Sequence, residues 1–212
     1  MTNAVSHHFK AGFSQVRRFA GIAGLIAVSM LVSGCLSTKH YVDPTLPKIA
    51  IADLQQPAAK QPVQLVFEFQ TNGTTNAKAT EYVRPIVLDA MKKSNLFSDV
   101  LVAPATADRK LFVIINNLSN MDDAKARGFT TGLTFGLSGT MVTDGYQLTA
   151  TDVTPAKTEV KHSYKHALYT TVGNADGPAG LQAVPREEAV HQIMEGLTLN
   201  LLNDMSKSGE LQ

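Results

Sequence analysis

Two segments of the chain repeat apolar residues at the three- and four-residue spacing of an amphipathic helix, at about residues 76–94 and 185–205. A helix with 3.6 residues per turn gathers residues so spaced on one face. Each predicted helix therefore has an apolar face to bury against another layer. In the first helix these residues are Ala79, Val83, Ile86, Val87, Ala90 and Met91; in the second they are Val190, Ile193, Met194, Leu197 and Leu201.

Shorter apolar segments between the helices have the alternating or continuous pattern of strands. They predict strands at residues 63–69, 100–102, 111–118, 146–153 and 160–171, the last two joined as a hairpin through Thr154–Lys157. Two amphipathic helices need the face of a sheet to cover. We therefore predict an α/β (α+β) two-layer sandwich, with a mixed or mostly antiparallel sheet of about five strands covered by the two helices.

The N-terminal region has a different pattern. The apolar stretch 19–32 follows Arg17 and Arg18. Its last two residues begin the run Leu31-Val32-Ser33-Gly34-Cys35, which contains the only cysteine of the chain. A transmembrane helix needs about 20 apolar residues, and this stretch is shorter. Positive charge, a short apolar run and then small residues are typical of a secretory signal.

The ending at Cys35 resembles the lipobox of bacterial lipoproteins, in which an aliphatic residue and two small residues precede a cysteine. The resemblance implies cleavage between Gly34 and Cys35 and attachment of fatty chains such as palmitate to the cysteine. Two or more such chains anchor a protein stably to a membrane. In the resembling lipoproteins an aspartate after the cysteine retains the protein in the inner membrane. Here Leu36 follows, which implies the outer membrane, with the domain facing the periplasm.

The first part of the mature chain is rich in proline, and proline-spaced segments tend to be extended and semi-rigid. We therefore predict three parts: residues 1–34 as a lipoprotein signal peptide, residues 35–62 as the lipidated N-terminus with a proline-rich tether, and residues 63–212 as a single periplasmic α/β domain.

Charge excludes one class of partner. The chain has 19 Lys and Arg against 18 Asp and Glu, and loss of the three basic leader residues Lys10, Arg17 and Arg18 leaves 16 against 18, a net charge of −2. A nucleic-acid-binding protein would instead present a basic surface.

A second resemblance lies in Leu88-Asp89-Ala90-Met91-Lys92-Lys93-Ser94-Asn95-Leu96-Phe97-Ser98-Asp99-Val100. This run is similar to the helix-to-strand passage of several periplasmic lipoprotein families, among them the curli-secretion lipoprotein and the outer-membrane activators of penicillin-binding proteins. By element order the resemblance spans residues 63–205, and by motif about 20 residues, so it implies fold and carries over no functional site. Asn95 stands where glycine is common in these families, and asparagine also tolerates the left-handed backbone conformation.

The glycine-rich segment 128–141 is the most unusual part of the sequence, and three interpretations of it stay open. As a strand, it places Phe129, Leu133, Phe135, Leu137 and Met141 on one side, a pattern that suits contact with lipid or a partner. As a helix, Gly128, Gly132 and Gly136 would form a close-packing face. As a loop, it would be a flap over the sheet.

No set of residues indicates catalysis, a metal or a cofactor. His162 and His166 have the spacing of a helical zinc site, but on a strand they lie about 13 Å apart. We interpret them, with Lys161 and Lys165, as a solvated, mildly basic strand face. The sequence therefore predicts a non-enzymatic, lipid-anchored envelope accessory or binding lipoprotein that contacts an envelope protein partner. The alternative is a self-assembling outer-membrane component, a homo-oligomer in which segment 128–141 inserts into the membrane or joins the copies.

Overall fold

The computed structural model describes residues 37–119, 136–138 and 141–211. The lipobox, Cys35 and most of the glycine-rich segment lie outside the described residues. The strands are β1 Thr38–Val42, β2 Val63–Thr71, β3 Thr74–Thr75, β4 Val100–Leu101, β5 Arg109–Leu118, β6 Gly136–Ser138, β7 Met141–Val153 and β8 Glu159–Val172. The helices are α1 Ala77–Ser94 and α2 Arg186–Lys207, and a 3-10 turn spans Ile51–Asp53.

The strands form one sheet in the order β1-β8-β7-β5-β2-β3, with β4 paired to β2 and β6 paired to β7. The pairs β2–β5 and β2–β4 are parallel, and the other pairs are antiparallel. The predicted fold, a mixed sheet covered by two helices, is confirmed. The strand count exceeds the predicted five by three, namely β1 and the short strands β3 and β6.

The core lies between one face of the sheet and the two helices. On β5 and β7 the pairs Val113–Ala150 and Ile115–Leu148 are opposite one another, and all four residues are buried. The apolar faces of α1 and α2 close over them, including Val83, Val87 and Met91 of α1 and Ile193, Met194, Leu197 and Leu201 of α2. The alternation of residues along the predicted strand 146–153 therefore identifies correctly which side of β7 is buried under the helices.

Helix α1 is held at both ends by asparagines. At its start, the side chain of Asn76 accepts a hydrogen bond from the Ala79 N–H at 3.0 Å. At its end, Asn95 has the left-handed conformation (φ 57°), as expected for a residue at a position where the resembling families commonly have glycine. Pro85 lies inside the helix on its exposed side. Because Pro85 faces solvent, its lack of an N–H leaves no buried carbonyl unpaired.

The predicted tether differs from the structure. Residues 38–42 form β1 at the edge of the sheet, Leu54 is buried in the core, and the Pro47 carbonyl accepts a hydrogen bond from Asn200 Nδ2 of α2 at 2.9 Å. The described domain thus begins at Thr38 and not at residue 63. Proline spacing indicated an extended backbone correctly, but it contains no information on whether that backbone finds a sheet edge and a helix to pack on.

Neither of the two described helices packs on the other face of the sheet. Val66 and Phe112 lie opposite one another there in the β2–β5 pair, and they are 40% and 39% exposed. Parity along the strands places Lys161 and Lys165 of β8 on this same face.

Candidate functional site

A groove forms where residues 42–49 cross from β1 to α2; we call it the β1–α2 groove. It consists of two adjoining cavities of about 270 and 430 Å³. Val42, Asp43, Pro44, Lys48 and Gln192 line both cavities; the first is completed by residues that include Leu46, Ile49, His166, Glu195, Gly196 and Leu199, and the second by Gly180, Leu181, Gln182 and Val184.

Asp43 fixes the turn that opens the groove. Its Oδ1 accepts a hydrogen bond from the Thr45 N–H at 2.7 Å, and its Oδ2 accepts one from the Tyr169 hydroxyl at 2.5 Å. Burial acts to raise the pKa of Asp43, but these hydrogen bonds outweigh it, so the pKa lies below its ordinary value. Asp43 is therefore an ionised carboxylate whose two oxygens are both engaged by the protein.

His166 of β8 lies beside Asp43 and lines the first cavity. Its Nδ1 accepts a hydrogen bond from the Ala167 N–H at 3.0 Å. Burial lowers the pKa of His166 to about 4, against the opposing charge of Asp43, so the imidazole is neutral at neutral pH. A neutral ring that accepts at Nδ1 must carry its proton on Nε2. That N–H has no hydrogen-bond partner among the described residues.

Gly196 forms part of the cavity wall in the middle of α2. A Cβ built on it would lie 3.8 Å from His166 Nε2 and 3.8 Å from the Cδ2 of Leu46. These are ordinary van der Waals distances, and the backbone of Gly196 is helical. Neither packing nor backbone conformation therefore requires glycine at this position.

The histidines that the sequence grouped with two lysines lie on the opposite face of the sheet from them. His166 is buried under α2, and His162 Nε2 lies 3.0 Å from Glu210 Oε2, whereas Lys161 and Lys165 alternate onto the uncovered face. The interpretation of one solvated basic face is wrong, because neighbouring residues of a strand point to opposite sides. No group of three or more metal-ligating side chains occurs in the described part of the chain.

The C-terminal half of α2 covers three further polar pairs. Arg109 donates two hydrogen bonds to Asp152, from Nε at 3.0 Å and from Nη2 at 2.5 Å, and both side chains are buried. Burial raises the pKa of Asp152, and the pairing with Arg109 opposes it. His162 pairs with Glu210, and the Tyr164 hydroxyl donates to Asp204 Oδ2 at 2.5 Å. We call these the α2 C-terminal network.

A small polar cluster lies near the start of α2. Burial raises the pKa values of Asp144 and Tyr146, and the Asn117 side chain hydrogen-bonds both. The charge of Arg186 acts on both groups in the opposite sense. Each group thus has partners inside the domain.

Several buried polar atoms on the uncovered face of the sheet have no hydrogen-bond partner among the described residues. Asn116 Nδ2 and Gln147 Oε1 belong to cross-strand neighbours, and Gln64 Oε1, Thr143 Oγ1 and Thr171 Oγ1 lie on the same face. They border neither of the two cavities.

The contact residues predicted from the glycine-rich segment are only partly covered by the structure. Phe129, Leu133 and Phe135 lie outside the described residues, as does Cys35 with its cleavage site. Leu137 lies in β6 opposite Val142, and Met141 begins β7 opposite Ser138. Residues 136–138 and Met141 are therefore in strands, but in two antiparallel strands and not in the single strand of the prediction. Position 137 pairs with Val142, the neighbour of Met141, so the placement of residues 137 and 141 on one side is wrong. Their contact with lipid or a partner stays a prediction.

Sequence reasoning did not identify the β1–α2 groove. Residues 42–49 were assigned to a tether, and His166 to a solvated face. One signal was available: Gly196 interrupts the predicted second helix, where glycine costs roughly 0.5–1 kcal/mol relative to alanine. Such a residue suggests a local need for space.

No protein-family model matches the sequence, and no curated protein is similar to it. Solved structures are similar in part. The PelC dodecamer from Paraburkholderia phytofirmans is 12% identical, with 81% of this chain and 97% of that chain covered and a TM-score of 0.37. A protein assigned as a neuraminyllactose-binding hemagglutinin homolog from Helicobacter pylori is 9% identical, with 77% and 94% covered and a TM-score of 0.38. The rare lipoprotein B from Shewanella oneidensis is 10% identical, with 69% and 93% covered and a TM-score of 0.31.

At these TM-scores the similarity supports no statement about activity, ligand or assembly. Neither helix in the described part of the chain combines the length and apolar composition needed to cross a bilayer.

Proposed function

We propose that this protein is a lipid-anchored outer-membrane lipoprotein whose periplasmic domain binds a protein partner of the envelope without catalysing a reaction. The lipobox-like sequence ending in Cys35 supports the anchor. The β1–α2 groove supports the partner site. The length of the connection bears on where the domain works, because only Leu36 and Ser37 separate Cys35 from Thr38, the first residue of β1. The domain would therefore work close to the membrane surface and not at the end of a long tether.

Chain geometry limits how far the domain can stand from its anchor. Three residue steps span at most about 11 Å, so Thr38 would lie within that distance of the Cys35 Cα. Thr38 is opposite Val172, and Thr171 is opposite Met141. The ends of β1, β8 and β7 at these residues would thus be the membrane-proximal end of the sheet.

The opposite end of the sheet would point into the periplasm. Strand β7 has 13 residues, which corresponds to about 40 Å of extended strand from Met141 to Val153. The β1–α2 groove begins at Val42, only four residues along β1 from Thr38. It would therefore face a partner at the level of the membrane surface.

The anchor is tested by fractionating cells that express the full chain. We expect wild type in the outer-membrane fraction, with acyl chains on an N-terminal Cys35 in mass spectra. Cys35→Ala should lose acylation and cleavage at this site. Ser33→Ala is the matched control, because it keeps a small residue before the cleavage site and should behave as wild type. Unmodified Cys35 in a mature protein would contradict the anchor.

Partner binding is tested by placing a photo-crosslinking amino acid at single positions of the full chain in living cells. Position Gln182 lies in the groove, whereas Ala156 lies at the exposed tip of the β7–β8 hairpin. We expect one discrete protein adduct from position 182 and none from position 156. Equal adducts from both positions would contradict a partner site at the groove.

One observation favours the alternative function, self-assembly. Strand β6 pairs with β7 and with no other strand in the described part of the chain, and a strand edge is a surface on which another copy can add a strand. The test is the mass of residues 38–212 by light scattering, with and without detergent. A discrete oligomer would favour self-assembly, whereas a monomer in both conditions would exclude it for the unlipidated domain.

A further inference from the structure

We infer that the β1–α2 groove binds an uncharged, extended peptide segment, with an apolar side chain in the cavity beside Gly196 and a peptide carbonyl on His166 Nε2. This inference rests on the proposed function in one respect, namely that the partner is a protein. The juxtaposition of an imidazole N–H that opens to the cavity, a helical glycine and an apolar lining carries it.

The first observation is the orientation of His166. The residue is only 6% exposed, and its Nδ1 is occupied by the Ala167 N–H. The remaining Nε2–H faces the cavity wall at Gly196 and has no acceptor among the described residues. The imidazole as a whole is buried, but its Nε2–H opens to the cavity, where an oxygen of a ligand can accept its hydrogen bond.

The second observation is the space beside Gly196. An alanine methyl group would fit there at ordinary contact distances from His166 and Leu46. Glycine in a helix interior is nevertheless less stable than alanine. A stability cost without a packing reason is expected where the space serves a ligand.

The third observation is the chemistry of the lining. Val42, Leu46, Ile49 and Leu199 give the first cavity an apolar wall, suited to an aliphatic side chain. The larger cavity alone, at about 430 Å³, falls within the size range of ligand sites.

The polar groups of the groove match an amide. Gln192 Nε2 donates to Glu188 Oε1 at 2.9 Å, which leaves the Gln192 carbonyl oxygen as an acceptor at the wall. With the His166 Nε2–H as donor, the groove offers one donor and one acceptor, the complement of a peptide unit. The two carboxylates Asp43 and Glu195 outnumber the ammonium group of Lys48 on the lining, so the groove disfavours an anion. The oxygens of Asp43 are already engaged by Thr45 and Tyr169.

The experiment uses residues 38–212, which form one compact unit, labelled with ¹⁵N for NMR. The probe is the capped dipeptide N-acetyl-Leu-Leu-amide, and N-acetyl-Ser-Ser-amide is the polar control. We expect saturable shifts of the Gly196 amide and the His166 ring nitrogens with the leucine probe only. Equal shifts with both probes, or none with either, would overturn the inference.

Two variants locate the binding. Gly196→Leu fills the cavity and should weaken the leucine probe at least tenfold, whereas Lys207→Leu adds the same side chain to an exposed position of the same helix and should leave binding unchanged. His166→Asn covers the case in which Gly196→Leu does not fold. Asparagine can still accept the Ala167 N–H but is too short to reach the ligand, so tenfold weaker binding is again expected. Unchanged binding by a folded variant would contradict the site.

Sodium decanoate is the last probe, because an acyl chain could also occupy an apolar cavity. Saturable shifts with decanoate and none with the leucine probe would overturn the inference of a peptide ligand and indicate that the groove binds an acyl chain. The full-chain Gly196→Leu variant separates this result from the proposed function. It should remain acylated in the outer membrane while losing the adduct at position 182. An adduct that persists would overturn the inference that the groove binds a peptide and would leave the anchor intact.

Discussion

Helix α2 lies over two polar regions of different character, the α2 C-terminal network and the side chain of His166 in the β1–α2 groove. Under its C-terminal half, each charged or hydroxyl group of the network finds a partner within the domain, as Arg109 does with Asp152 and Tyr164 with Asp204. Beside its N-terminal half, His166 presents a donor to an open cavity without an acceptor. His166 is buried like the Arg109–Asp152 pair, so between these groups the difference lies in whether a partner inside the domain satisfies their hydrogen bonds.

This contrast separates groups that hold the fold from groups that can serve a ligand. A mutually satisfied buried pair is expensive to break, because removing one member leaves the other charged and alone. A group whose partner is absent from the domain adds little to stability, and its removal should mainly affect binding. Substitutions in the two regions should therefore have effects of different kind and size.

The largest expected effect is at the Arg109–Asp152 pair. Asp152→Ala leaves a buried guanidinium without its carboxylate, and we expect the free energy of unfolding to fall by about 3–5 kcal/mol, measured by urea denaturation. The exposed pair of Asp89 and Lys93 on α1 is the matched control, and Asp89→Ala should leave the urea midpoint unchanged. Similar losses of stability for both variants would show that the buried Arg109–Asp152 pair contributes no more to stability than an exposed ion pair.

The next largest effect is expected at Gly177, where the neighbouring ring leaves no room for a side chain. A Cβ on Gly177 would overlap the ring of Tyr41, which is a buried residue of β1. Gly177→Ala must displace either the ring or the loop that contains Gly177, at a cost of about 1–3 kcal/mol. The cost is measured by urea denaturation, and a loss smaller than that of a surface substitution would contradict the close contact.

Sequence patterns predicted the layers of this fold well, because the apolar period reports directly which side of an element is buried. The buried side of 146–153 and the apolar stripe of α1 follow from that rule. The groove could not be predicted in this way. Its wall at 42–49 depends on β1 pairing with β8, a contact more than 120 residues apart in sequence. The side to which His166 points depends likewise on the β7–β8 register.

A third effect is the pH dependence that His166 confers. The unfolded chain takes up a proton near the ordinary histidine pKa of 6.5, and the folded protein near 4. Between these values the unfolded state binds more protons, so stability falls as the pH decreases. Going from pH 7.5 to pH 5.0 should cost about 2 kcal/mol.

Comparison with His166→Gln isolates this contribution by urea denaturation at both pH values. Asp43, Glu195 and Lys48 face the same cavity and remain in both proteins, and the raised pKa values of Asp144 and Asp152 affect both equally, with the opposite sign. Between pH 7.5 and pH 5.0 the free energy of unfolding of the variant should fall by about 2 kcal/mol less than that of the wild type. Equal pH dependence in the two proteins would mean that His166 is not neutral in the fold.

The smallest expected effect distinguishes the two regions most directly. Gly196→Ala should raise the free energy of unfolding by about 0.5–1 kcal/mol, because alanine restricts the unfolded chain and the methyl group meets no obstacle. Together with Gly177→Ala, it forms a pair of identical substitutions with opposite signs. If Gly196→Ala instead destabilises, the glycine is required by packing and the argument that its space serves a ligand is lost. If it stabilises the domain and also weakens the leucine probe, stability and binding oppose one another at this residue. That opposition is expected at a binding site and not at a position that only holds the fold.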